Sequence, residues 1–223
     1  MRRIAQYLPI CFLALGSVQF ASAQSAFDLN LGFGSFHDKA SGAGIDNLNS
    51  PTNAFGSCIP NSGDPFCQST PSLGGFFLGF GGDLMLKKHY GVGGEWVLTP
   101  AKQDYGPLSY RQHFIDVNGI YAPIVQKKVV VKLMGGIGDA KTGFSFTSSG
   151  CVGTAVCTSQ TQPVGSSNHF QIHAGAGVEV FLTDHIFVRP QFDLHYVPSF
   201  TDQFGSNVAV GGMVWLGYSW GDR

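Results

Sequence analysis

Beyond its first two dozen residues the chain has no apolar run long enough for a membrane-spanning helix, and only 12% of its 223 residues are charged. The first lack excludes a helical membrane protein. Together they suit a β-barrel in lipid, whose outward side chains need not be polar. Clustered lysine and arginine are missing too. Once Arg2 and Arg3 are set aside with the leader, 11 basic residues face 14 acidic ones, a net of −3 with histidine neutral. A nucleic-acid partner is not expected on that balance. No His-Glu-x-x-His motif occurs, and the one Gly-x-Ser-x-Gly match, Gly217-Tyr218-Ser219-Trp220-Gly221, lies in an alternating terminal segment with no helix to follow. Neither a metalloprotease signature nor the strand-turn-helix setting of a serine-hydrolase elbow is therefore present. The 31 glycines follow no Gly-X-Y period, which rules out collagen.

The leader reads as a secretory signal over 1–23, with one mature domain over 24–223. Arg2 and Arg3 start it, an apolar stretch runs from Ile4 to Val18, and Ala21-Ser22-Ala23 supplies the small residues of a cleavage site. Cys11 lacks the preceding small residue of a lipoprotein signal, so no lipid anchor is expected. Four cysteines remain, Cys58, Cys67, Cys151 and Cys157. They allow three pairings. Each close pair falls in one stretch between strands, so Cys58–Cys67 and Cys151–Cys157 are the expected disulfides in an oxidising compartment. A zinc site built from all four is the rival reading.

What is abundant is alternation. In HFQIHAGAGVEVFL, Phe170, Ile172, Ala174, Ala176, Val178, Val180 and Leu182 form one row, and Gln171, His173, Gly175, Gly177, Glu179 and Phe181 the other. Thr183-Asp184-His185 turns the chain. The return strand sets Phe187, Arg189, Gln191, Asp193 and His195 against Ile186, Val188, Pro190, Phe192, Leu194 and Tyr196. Such a period of two, sustained beyond ordinary strand length, marks a sheet with unlike faces. Further strands read at about 26–36, 74–86, 90–101, 110–122, 129–146 and from 208 onward, by the same alternation.

The links between strands run long, short, long, short, long, short, long, as they do when tight turns lie at one end of a barrel and free loops at the other. Asp38–Leu73 and Thr147–Ser167, rich in Ser, Thr, Asn and Gly, are the two large loops. Register gives the stronger signal. Asp28, Asp83, Glu95, Asp116, Lys132, Glu179, Arg189 and Asp193 all fall on one face. A slip of one residue would turn them outward, where a Lys or Arg at mid-depth in lipid costs about 2–4 kcal/mol. Asp139 and Lys141 break that parity and are expected above the lipid or past a bulge. Tyr90, Tyr121, Phe187 and Trp220 are expected near one rim, with Tyr105, Tyr110, Phe146 and Phe200 near the other, as interfacial girdles.

Candidate chemistry is confined to the inward face. Six carboxylates (Asp28, Asp83, Glu95, Asp116, Glu179, Asp193) meet Lys132 and Arg189, with His173 and His195 beside them. An eight-stranded barrel leaves room for side chains and little else, so a polar plug is the favoured reading and a gated ion path the alternative. Gly135 to Thr142 nearly spells a phosphate-binding loop, but Ala140 replaces its last glycine and a strand follows. His37 with Ser35, or His195 with Ser199 and Asp193, could be drawn into a lipid hydrolase, yet no motif supports it. Catalytic, cofactor and metal residues are therefore expected to be none.

The Gly-rich strands GGFFLGFGGDLML, VVVKLMGGIG and FQIHAGAGVEVFL, the segment VRPQFDLHYV and the terminal VAVGGMVWLGYSW resemble the bacterial outer-membrane β-barrel domain family, the small OmpA/OmpX-type barrels. The resemblance implies an all-β, eight-stranded, antiparallel up-and-down transmembrane barrel in the outer membrane, with the termini expected in the periplasm and four loops outside. It implies insertion by the barrel-assembly machinery, for which a final strand ending in an aromatic residue, here Trp220, is the signal. Outer-membrane lipid is the implied neighbour. A structural or surface-interaction role through loops 38–73 and 147–167 is expected, with transport of ions or small solutes as the alternative.

Overall fold

The computed structural model describes residues 26–39, 72–105, 108–152 and 156–221. Among the described residues nine strands follow one another: β1 (Ala26–His37), β2 (Phe77–Lys87), β3 (Tyr90–Leu98), β4 (Gln103–Tyr105), β5 (Leu108–Val125), β6 (Val129–Val152), β7 (Val156–Phe181), β8 (Ile186–Tyr196) and β9 (Val208–Trp220). Each pairs antiparallel with its neighbours. β1 pairs with β9, and β3 with β5, so eight strands close a ring, while the short β4 pairs only with β5 above β3. Closure removes the sheet edges that lipid could not hydrogen-bond. The fold is thus the eight-stranded antiparallel barrel expected from the alternation.

Its surface is inverted relative to a water-soluble barrel. Outward Val117 and Ile137 are 67% and 58% exposed, whereas inward Arg189 and Glu179 are fully buried. Leu31, Phe80, Ile172 and Leu216 continue the exposed apolar belt around the ring, a patch far larger than soluble monomers tolerate. At the short-turn end the belt is bordered by aromatic pairs: Tyr90 on Tyr121 at 5.3 Å, Phe27 on Trp220 at 5.7 Å, and Tyr218 on Trp220 at 4.5 Å between ring centroids.

Four expectations need correction. Thr147–Ser167 is not a loop. β6 and β7 continue pairing through Val152 and Val156, and beyond Phe146, the last β6 residue paired with β5, they form a two-stranded ribbon. Outside lipid nothing demands apolar alternation, so a Ser/Thr-rich sequence makes strand all the same. Similarly, the link 102–109 between the strands expected at about 90–101 and 110–122 is not wholly a loop, since it contains β4 and the start of β5. Phe187, Tyr110 and Phe200 are buried in the interior and belong to no girdle. For Phe187 and Tyr110 inward strand parity overrides the general liking of aromatics for rims, and Phe200 enters the lumen from the 3-10 turn between β8 and β9. Of the two places expected for Asp139 and Lys141, the bulge is ruled out, since both face outward and the nearest register shift in β6 lies at Phe144/Ser145. The side chain of Tyr105 lies outside the described residues, as do residues 1–25 with the proposed leader and residues 40–71 with Cys58 and Cys67.

Candidate functional site in the barrel interior

Alternation alone delivers the interior side chains, because every second residue of each strand points inward. They stack in three layers. Nearest the short turns, Ala26, Met85, Ile120, Ala122, Val130, Met134, Phe181 and Phe187 pack as one apolar cluster. Toward the long loops a larger cluster holds Phe36, Phe77, Tyr110, Phe114, Phe144, Met213 and Trp215. The segment between β8 and β9 folds into that mouth. Its 3-10 turn, Phe200–Asp202, places Phe200 and Phe204 4.7 Å apart, with Phe204 5.4 Å from Tyr110. Gln203 donates to Ser167 Oγ at 2.6 Å, tying this cap to β7.

The charged residues lie between the clusters. Lys132 Nζ is held by Asp28 at 2.8 Å, Asp83 at 2.8 Å and Glu179 at 2.6 Å. Arg189 donates to Asp83 at 2.6 Å and to Glu95 at 2.9 Å. Its guanidinium also lies 5.4 Å from the Trp215 ring centroid, within cation–π range. Four carboxylates therefore share two cations, each charge fully desolvated by the barrel wall. Such groups are tolerable only when mutually paired and hydrogen-bonded.

A second polar group sits on the long-loop side. His173 lies between Asn118 Oδ1 at 2.9 Å and Asp193 Oδ1 at 3.1 Å. His195 stacks between His173 at 4.7 Å and Phe114 at 4.4 Å, and meets Gln171 Oε1 at 3.2 Å. Gln171 in turn donates to Asp116 at 2.8 Å. Gln191 joins the two groups by donating to Glu95 at 3.1 Å and to Asp193 at 2.7 Å.

All ten inward residues named from the sequence thus reach the lumen. The amides that connect them (Asn118, Gln171, Gln191) and Trp215 were not singled out, because an uncharged side chain gives no sign to follow. Parity was the available signal for each.

Two clusters have the donor types of a cation site, Glu95–His173–Asp193 and Asp28–Asp83–Glu179. The second surrounds the Lys132 ammonium, and the first surrounds the Gln191 amide. The serine–histidine candidates lie in unlike settings. Ser35 and His37 are exposed on the outer face of β1, whereas His195 is sealed among aromatic rings. The segment Gly135–Thr142 lies wholly within β6, and a strand lacks the helix N-terminus that binds phosphate.

Structures with this architecture are known. Ail, the attachment invasion locus protein of Yersinia pestis, shares 13% identity and covers 89% of this chain and 99% of its own, with a TM-score of 0.48. Neisserial surface protein A shares 11% identity, covering 87% and 95% with a TM-score of 0.50. The outer membrane protein OprG from Pseudomonas aeruginosa shares 13%, covering 89% and 97% with a TM-score of 0.44. No curated protein matches the sequence. The profile described as "Outer membrane protein beta-barrel domain" matches residues 8–215. The chain belongs to the outer membrane protein β-barrel domain family, and its place is the outer membrane.

Proposed function

We propose that this protein is a closed outer-membrane barrel with a structural or surface-interaction role, its lumen plugged by its own side chains. The observation that carries this reading is the three-layer filling of the interior, with Phe181 and Phe187 at one end and Phe200 and Phe204 at the other. A solute would have to displace both clusters and break the Lys132 and Arg189 ion pairs. The role is non-catalytic on this reading.

The surface for contact is the long-loop end, above all the β6–β7 ribbon and segment 38–73. The register sets Cys151 opposite Cys157 near the ribbon tip. Directly paired antiparallel residues have Cα separations of about 4.5–5.5 Å, within the span of a disulfide. This supports a Cys151–Cys157 bond, and the same compartment supports Cys58–Cys67. Residues 1–23 serve as the export signal on this account, and the barrel-assembly machinery inserts the chain.

One observation favours the rival role in transport. Asn30, Arg189 Nε and His195 Nε2 are buried polar groups without a protein partner, and groups of this kind commonly hold water. Planar-bilayer recordings separate the two. The closed barrel gives no steady openings. Sustained conductance that disappears in Glu95→Gln or Arg189→Gln overturns the plug in favour of a path.

A further inference from the structure

The outer wall carries a cationic groove that neither the closed lumen nor the ribbon explains. It is lined by Lys102, Arg111, His113 and Lys141, with Gly143 and Ser166 among its other walls. Register brings these together. His113 pairs directly with Lys141, and Arg111 pairs with Gly143, which pairs in turn with Ser166. Gln103 pairs with Tyr110, so Lys102 follows alongside Arg111. Gly143 leaves the centre open, since a Cβ built there meets no atom within 4 Å. Among the described residues no carboxylate comes within ion-pair distance of Lys102, Arg111 or Lys141. The nearest acids in sequence, Asp104 and Asp139, do not line the groove.

The height of the groove is informative. On β5 the outward residues from the interfacial Tyr121 up to His113 span eight positions, about 27 Å along a strand at ~3.4 Å per residue. A tilt of about 40° reduces that to roughly 21 Å across the bilayer, close to the full apolar band of such barrels. Below His113 the β5 wall is apolar, with exposed Ile115 and Val117, and the outward acid there is the half-buried Asp139 of β6, paired with Ile115. Trp96 stacks on His113 and donates its indole N–H to Nδ1 at 3.4 Å, which leaves Nε2 as the ring's N–H donor. The groove therefore opens where acyl chains end and headgroups begin, at the long-loop end.

We propose that this groove binds the phosphorylated headgroup of an outer-leaflet glycolipid. Arg111 supplies a planar fork matched to phosphate oxygens, Lys102 and Lys141 flank it with point charges, and His113 adds a neutral donor. The apolar wall beneath receives the acyl chains of the same molecule, which a soluble anion would not use. The inference rests on the membrane setting of the proposed role but not on the closed lumen.

The test uses the folded protein in neutral detergent micelles, titrated with lipid A, with lipid A stripped of both phosphates, and with inorganic phosphate. Lipid A is expected to bind at least 10-fold more tightly than either of the others. Arg111→Glu/Lys141→Glu should lose at least 10-fold, and Gly143→Leu, which adds bulk where a Cβ meets no atom within 4 Å, should lose affinity as well. Lys87→Glu/Lys88→Glu at the opposite end should match the wild type. Heat-modifiable gel migration of each variant separates loss of the site from loss of the barrel. Equal binding of dephosphorylated lipid A, inorganic phosphate binding as tightly as lipid A, or unchanged binding in both groove variants overturns the proposal.

Discussion

Lys132 and Arg189 are the two side chains on which the interior charge balance turns, since four carboxylates depend on them. Removing one cation leaves the four buried carboxylates with half the positive charge that balances them, and breaking such a cluster costs about 3–5 kcal/mol. Lys132→Met is therefore expected to lower barrel stability by that order in urea unfolding from lipid vesicles. Little change would mean that water already reaches the cluster. Glycine matters at this scale for the opposite reason, lack of bulk. A Cβ at Gly217 would run into the Phe187 ring and Asn30 Oδ1, and Gly32 and Gly79 make room for Trp215 in the same way. Gly217→Val should cost about 1–3 kcal/mol by overpacking, read in the same unfolding assay. The charged members of the interior were legible in the sequence, because a charge on the wrong face of a lipid-bounded strand is penalised. Trp215 and the bridging amides were not, because no comparable penalty marks an aromatic or an amide. Phe187 and Tyr110 show the same limit: residue type suggested a rim, and only parity told the truth.

Among the elements, the β6–β7 ribbon and the β8–β9 cap behave differently. The ribbon stands clear of the ring, so its proposed Cys151–Cys157 bond should matter to it alone. Cys151→Ser/Cys157→Ser is expected to make the ribbon more sensitive to protease while heat-modifiable migration of the barrel stays unchanged. Equal sensitivity before and after reduction of the wild type would remove the bond from the account. At the capped mouth, outside the apolar band, Asp38 is buried, and burial raises its carboxyl above the ordinary range although Ser206 donates two hydrogen bonds to it. The folded chain thus holds this proton more tightly than the unfolded one. Its contribution is present below the unfolded value of about 3.9 and is lost as pH rises through the folded value. Relative to Asp38→Asn, the wild type should lose thermal stability between acid and neutral pH. A wild type that instead gains on Asp38→Asn as pH rises would contradict this. Strand positions within the bilayer were legible nearly to the residue, β8 and β9 above all, because lipid outside and charge inside impose a strict period. The ribbon was not, since in water both of its faces are free to be polar.

For the whole molecule, one arrangement of side chains serves several ends. An exterior of Leu, Val, Ile and Phe requires lipid; on the proposed reading the interior of paired charge and packed rings blocks passage, and the long-loop end is left for soluble partners. The number of strands followed from counting alternating segments, and the closed ring followed from the cost of an edge in hydrocarbon. The layering of the lumen did not, because it depends on which inward residues share a height across strands far apart in sequence. The most direct measurement is site-directed spin labelling of a cysteine-free background reconstituted in vesicles, with single labels at Leu31, Val117, Ile137 and Leu216. The account predicts strong collision with oxygen dissolved in the acyl chains and negligible collision with a water-soluble nickel chelate at all four sites. Free access of the nickel chelate to these positions would contradict it.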